Sequence, residues 1–232
     1  DGVVIGADTR ATSGEIVSEK NCLKIHRIAN NIYCLGAGTA ADCDFQTKFM
    51  ESQMSLLALE SNRQIRVATV VRRLRQHLFN YMGYIGAYLI VGGVDITGPQ
   101  VTMIHAHGST ATLPYITTGS GGLAALGVCE AGFKPDLSES EAMELVKSAV
   151  ETAIINDMFS GSNVDLCVIK KTGATFYRPY AVIAKPEPRL KDYTFTKGVT
   201  PVIRSQTRAV KQPFDLVSEN VIQIAEEEMD LS

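Results

Sequence analysis

The chain has 232 residues, of which 45% are hydrophobic and 20% charged, and its formal net charge is −3. That balance suits a globular chain with a sizeable core and gives no electrostatic ground for binding nucleic acid. The most apolar run, 85–94, is broken by Gly86, Gly92 and Gly93 and is too short to cross a bilayer. With no charged-then-apolar leader in view, neither membrane insertion nor export is expected.

Five scattered cysteines (Cys22, Cys34, Cys43, Cys129, Cys167) form no C-x-x-C pair. An odd, irregularly spaced set reads as reduced thiols acting as small core residues, which implies a reducing compartment, cytoplasm or nucleus.

The opening residues read as a strand already under way, Val3 to Ala7, ending in Asp8-Thr9-Arg10. An apolar strand at the first residue leads us to expect a preceding segment that pairs with it. Further β-rich runs follow at 16–18, 22–28 and 32–35. Helical spacing then covers 39–61, with Ala41, Phe45, Phe49, Met54 and Leu57 on one side. A second helix is predicted over 67–81, with Val67, Val70, Val71, Leu74 and Leu78 inward. Arg66, Arg72, Arg73 and Arg75 then form a solvated face.

Strands at 84–92 and 101–105 flank a turn at 95–99, and another strand is predicted near 113–118. A short helix begins after Gly119-Ser120-Gly121-Gly122. Ser138-x-x-Glu141 is a capping box for a helix to about Asp157, with Met143, Val146, Val150 and Ala153 inward. Runs 164–170 and 175–178 read as a closing hairpin around Thr172-Gly173. After Tyr180 the periodicity fades among Pro186, Pro188, Pro201 and Pro213. Residues 1–180 are therefore expected to form the folded domain, and 181–232 a tail that is either disordered or an extended arm laid along a partner's surface. The order of elements suggests an α+β protein, a four-layer αββα sandwich of two antiparallel sheets between helix pairs.

Several constellations carry chemistry. If 22–28 is a strand, Lys24 shares a face with Cys22 and His26 and can support a nearby oxygen nucleophile. Alternatively, it is an edge-strand lysine that discourages aggregation. Asp8 can hold that lysine charged and oriented, or act as an ordinary turn acid; together the two form a buried-charge pair. The glycine loops Gly36-Ala-Gly38-Thr39-Ala-Ala41 and 119–122 each stand where a strand meets a helix. They suit an oxyanion hole, a dinucleotide fingerprint with Glu60 downstream, or tight turns with close packing. Asp157-Met-Phe-Ser160-Gly-Ser162 offers an acid and two hydroxyls at the end of a helix, or simply a glycine stop. His105 and His107 share a strand face without a third ligand, so no metal is expected, and no cofactor.

Taken together, Gly6-Ala-Asp8-Thr-Arg10-Ala-Thr12, Lys20-Asn-Cys22-x-Lys24-Ile-His26 and Gly36-Ala-Gly38-Thr39-Ala-Ala-Asp42 resemble a proteasome β subunit. Gly119-Ser120-Gly121 and Asp157-x-x-Ser160-Gly-Ser162-Asn-Val-Asp165 resemble the same family. The resemblance runs from Asp1 to about Tyr180. It implies the N-terminal-nucleophile hydrolase fold and a threonine-type endopeptidase of the 20S particle, serving ubiquitin-dependent and ubiquitin-independent degradation. It also implies partnership with other α and β subunits in stacked heptameric rings, and unfolded polypeptide as substrate.

By the same resemblance, Asp8 and Lys24 are the charged pair, and Ser120, Asp157 and Ser160 the hydrogen-bonding set. The Gly38 backbone N–H is the oxyanion donor. The nucleophile, an N-terminal threonine exposed by propeptide removal, lies ahead of Asp1. Gly36, Asp44 and Thr12 resemble the substrate-binding positions of the trypsin-like class, in which Gly36 leaves room and acidic Asp44 favours Lys or Arg before the cut. Phe159 stands where the family usually carries glycine, and its ring is expected to tilt Ser160 or narrow the site. Gly122 replaces a common serine. Two rival readings remain: a catalytically silent ring subunit, and a dinucleotide-binding oxidoreductase built on a parallel sheet.

Overall fold

The structure is a computed structural model that describes residues 1–183 and 204–208. Strand β1 (Gly2–Asp8) leads into a hairpin of β2 (Ala11–Ser13) and β3 (Ile16–Glu19), and then β4 (Ile25–Ala29) and β5 (Ile32–Gly38). Two helices follow, α1 (Ala40–Ser61) and α2 (Val67–Asn80), then β6 (Ala87–Asp95), β7 (Gly98–Ile104) and β8 (Thr110–Thr112). Helices α3 (Gly122–Gly132) and α4 (Glu139–Asn156) precede the closing hairpin of β9 (Asn163–Lys170) and β10 (Gly173–Val182).

One sheet has the order β1-β9-β10 and the other β4-β5-β6-β7-β8, with β2-β3 as a separate ribbon. Every pairing is antiparallel. Strand alternation then sorts the apolar side chains into layers. Val3 and Ile5 of β1 meet Leu35, Ile90 and Val94 of the larger sheet, and Cys167 and Ile169 complete that inner core. The opposite faces of β5 and β6 give Ile32, Cys34, Leu89 and Val91 to a second core with α1 and α2. Ala125, Cys129, Ala149 and Ala153 form a small-residue seam between α3 and α4. This is the four-layer αββα sandwich expected from the sequence.

Helix α2 buries the five residues its periodicity selects, Val67, Val70, Val71, Leu74 and Leu78, while its arginines face solvent. The Ser138 capping box is formed in full, with Glu141 Oε2 accepting from the Ser138 N–H at 2.8 Å. Helix α1 matches the expected face in its second half, where Met54 is buried and Leu57 packs against the core, but not in its first half. Cys43, Gln46, Thr47, Met50 and Met54 point inward, whereas Phe45 and Phe49 stack on the surface beside His77. The helix has almost no amphipathic contrast, so its sequence carries two competing stripes, and the one that fits the sheet wins.

Three more expectations are corrected. Strand β4 begins at Ile25, so Lys24 lies in the loop before it; it lines one cavity with Cys22 and His26, but strand alternation does not put it there. Residues 113–118 are not a strand: β8 ends at Thr112, the Leu113 N–H makes a last bond to the Val101 carbonyl at 3.3 Å, and Pro114 has no N–H to continue the ladder. His105 and His107 lie in the turn after β7, closed by the Gly108 N–H donating to the His105 carbonyl at 2.8 Å. The parallel sheet of the oxidoreductase reading is also absent among the described residues. The expected arm of 181–232 lies mostly outside those residues, and 204–208 have no regular secondary structure.

Asp95 joins two elements distant in sequence. Its Oδ2 accepts the N–H of Val67, the first residue of α2, at 2.8 Å, and its Oδ1 accepts the Thr97 hydroxyl and N–H. Burial pushes this carboxyl up, but the donors from Thr97 and Val67, with the charge of Arg66, hold it below the ordinary carboxylate value. Asp95→Ala should therefore cost about 1–3 kcal/mol in denaturant unfolding. A folded-state pKa below the unfolded one means this stability is present above about pH 4 and lost as pH falls through the lowered value. The gap in Tm between wild type and variant should narrow accordingly on acidification.

Candidate active site

Asp8 closes β1, and one of its oxygens, Oδ1, lies 2.5 Å from Lys24 Nζ. Both side chains are largely withdrawn from water, at 14% and 25% exposure, so neither charge is stable there without the other. The second oxygen of Asp8 accepts the Gly161 N–H at 3.0 Å and the Arg10 N–H at 3.2 Å. The carboxylate is thereby fixed from both sides.

Because Lys24 sits in a loop, something other than strand geometry must hold it, and Thr9 does this. It is fully buried; its hydroxyl donates to the Lys20 carbonyl at 2.9 Å and accepts the Asn163 N–H at 3.0 Å. Its own carbonyl accepts the Cys22 N–H at 2.9 Å. One residue thus clamps the end of β1, the loop that carries Lys24 and the start of β9. Arg10 braces the same corner, donating to the Met158 carbonyl at 2.9 Å. A Cβ at Gly161 would come 2.2 Å from the Arg10 guanidinium carbon, so a side chain there would push the guanidinium off its seat.

Asp157 follows α4 and gathers two hydroxyls on Oδ2, from Ser120 at 2.5 Å and from Ser160 at 2.6 Å. Its Oδ1 accepts the Phe159 N–H at 3.2 Å. Burial raises the Asp157 pKa, but the Ser120 and Ser160 hydroxyls, the Phe159 N–H and the Lys24 charge outweigh it, and the carboxyl is held below its ordinary value. The approach depends on Gly121, where a Cβ would stand 2.7 Å from Ala153 Cβ and 3.1 Å from Ser160 Oγ. Phe159 is about half-exposed, and beside it the Ser160 hydroxyl still reaches Asp157.

These groups face one cavity of about 1270 Å³, lined among others by Asp8, Lys24, Ser120, Ser160, Gly38 and Asp44. Thr12 and Gly36 line it too, whereas Asp157 stands behind the two serines. Gly38 ends β5 with a φ of 107°, and a Cβ there would come 2.3 Å from the Gly86 carbonyl oxygen. A side chain at Gly36 would collide with Cys43, 2.7 Å away, so this glycine also sets how closely α1 packs on β5. Cys22 lines the cavity as well; burial, with Glu19 nearby, raises its pKa and keeps it a thiol. The outer edge of β1, which runs along the cavity, has no partner strand among the described residues.

Chemically, the arrangement presents a fixed ammonium, two hydroxyls on a carboxylate, and a backbone turn open to a developing anion. Among the described residues no cluster of three metal-ligating side chains occurs. Sequence reasoning quoted Thr9, Gly161 and Asp165 within motifs but gave none of them a role in the site. Asp165 lies opposite Ala7, buried, with Arg178 Nη1 at 3.5 Å. Thr9 gives no pattern signal, since a hydroxyl in Asp-Thr-Arg looks like any turn residue. Asp165 is a charge in an otherwise apolar strand, which is a usable signal.

Replacing Ser120 and Ser160 together by alanine removes two donors to the ionised carboxylate. The Asp157 pKa should then rise, read by NMR titration of its carboxyl carbon. An unchanged value would mean that these hydroxyls do not set it.

Residues 1–169 match the family model described as "Proteasome subunit". The chain is 50% identical over 204 residues to the "Probable proteasome subunit beta type-2" of Schizosaccharomyces pombe, covering 88% of this chain and 76% of that protein. It is 51% identical over 203 residues to "Proteasome subunit beta type-7" of Dictyostelium discoideum, covering 88% and 76% respectively. It is 50% identical over 221 residues to "Proteasome subunit beta type-10" of Bos taurus, covering 95% and 80%. With the layered fold and the site geometry, these similarities establish that the chain belongs to the proteasome subunit family and is related to its β-type members.

Proposed function

We propose that this chain is a threonine-type endopeptidase subunit of a 20S proteasome, with a preference for cleavage after basic residues. The observation that carries the reading is the Lys24–Asp8 pair, braced by Gly161, beside the Ser120–Asp157–Ser160 group. A structural lysine needs no such surroundings. The open edge of β1 supports a nucleophile on a segment preceding Asp1. A hairpin folding back from Asp1 rises at the same rate as β1, so a strand of similar length begins level with Asp8.

A threonine at that first position supplies both hydroxyl and α-amine. The amine, with an ordinary pKa near 8, takes the hydroxyl proton as the oxygen attacks the peptide carbonyl. The Lys24 ammonium lowers the cost of the alkoxide, and Asp8 keeps that ammonium charged and aimed. The Gly38 N–H receives the tetrahedral anion, a contribution of about 3 kcal/mol or more to the barrier. The proton then passes to the leaving amine, an acyl-enzyme remains, and water releases the acid and restores the hydroxyl. Asp44, lining the cavity, pairs with a Lys or Arg side chain before the scissile bond.

The reading includes assembly with other α and β subunits in stacked heptameric rings around unfolded polypeptide. It also includes a cytoplasmic and nuclear location, which the five free cysteines support. A catalytically silent subunit is favoured by one observation, the half-exposed Phe159 ring at the cavity wall. Labelling by threonine-directed covalent inhibitors separates the two readings, since a silent subunit takes up no label.

Amino-terminal sequencing of the mature chain should return threonine; any other residue removes the nucleophile. Lys24→Ala should lower kcat for peptide hydrolysis by at least about 10²-fold with assembly retained. Full activity in that variant would overturn the site.

A further inference from the structure

Asp44 and Lys48 lie one helical turn apart on α1, and Lys48 Nζ is 2.7 Å from Asp44 Oδ2. Asp44 lines the large cavity, whereas Lys48 lines a separate groove of about 370 Å³ on its outer side, together with His26, Thr47 and Glu51. The cation therefore grips the carboxylate from behind, away from the cavity a substrate would enter. Glu51, the other acid in that groove, is engaged by Arg27 Nη2 at 3.2 Å, which leaves Lys48 on Asp44. His26, common to both cavities, senses the same charges: burial lowers its pKa, Asp44 raises it and Lys48 lowers it. Asp44 Oδ1 has no partner among the described residues and remains for a ligand.

We infer that Lys48 is a specificity-determining positioning residue, a built-in competitor that weakens the pocket's preference for a basic side chain by neutralising Asp44 from behind. This rests on the reading of Asp44 as the acid that meets the residue before the scissile bond. A substrate guanidinium approaching Oδ1 meets a carboxylate whose charge is already shared, and a second cation a few ångströms beyond it. Like-charge repulsion then offsets part of the new pairing. Lys48 is 71% exposed and Asp44 46%, so the competition is screened by solvent and modest in size.

The test uses the assembled particle and a pair of electrophilic peptide probes ending in arginine or in citrulline, its neutral near-isostere. Labelling is read on this chain alone by its mass. Lys48→Gln should raise the arginine-over-citrulline ratio of labelling efficiency by about two- to five-fold. The gain should lie in half-saturating probe concentration rather than in maximal rate, and it should shrink at high salt. Lys48→Arg should keep the wild-type ratio, because the competing charge is retained. Asp44→Asn should lower the ratio towards one in either background. If Asp44→Asn lowers the ratio but Lys48→Gln leaves it unchanged, the competitor role is wrong and the acidic pocket stands. If Asp44→Asn has no effect, the acidic pocket falls, and the competitor with it.

Discussion

The site depends on the ion pair between Lys24 and Asp8. A lysine side chain with three-quarters of its surface withdrawn from water needs beside its ammonium a carboxylate that cannot swing away. The carboxylate is held by backbone N–H groups from Arg10 and Gly161, which belong to segments far apart in the chain. That requirement explains the fully buried Thr9, and the Arg10 guanidinium lies against Gly161 at the same corner. Each keeps two charges at contact distance at the end of a three-stranded sheet.

Much of this was legible in the residues, for identifiable reasons. Helix α2 was readable because its apolar positions follow one clean stripe and its arginines another. The αββα layering was readable because short alternating runs and helical runs come in blocks. Helix α1 was read correctly at Met54 and Leu57 but wrongly in its first half, because its buried side there includes Gln46 and Thr47, whereas Phe45 and Phe49 lie outside. Local pattern assumes that the most apolar stripe is buried, and here shape against the sheet decided otherwise.

The site was legible as motifs but not as geometry. Alternation along a strand seemed to aim Lys24, yet its position comes from a loop tied to Thr9 through Lys20 and Cys22. Such a clamp joins residues by hydrogen bonds across the fold, and no periodicity announces it. The glycines were recognised as junction residues, but the partner each one meets emerges only in three dimensions: Cys43 for Gly36, Gly86 for Gly38 and Ala153 for Gly121.

The alanine- and cysteine-lined seam between α3 and α4 has a consequence of its own. A Cβ at Gly121 would meet Ala153 and Ser160 together, so the close approach of the outer helices also bears on the two serine hydroxyls on Asp157. A bulkier residue at Ala153 would press on Gly121 and on the corner that holds the hydroxyls. The outermost layer, remote from bond cleavage by ordinary reckoning, is thereby denied the freedom to drift in size that exterior helices usually enjoy.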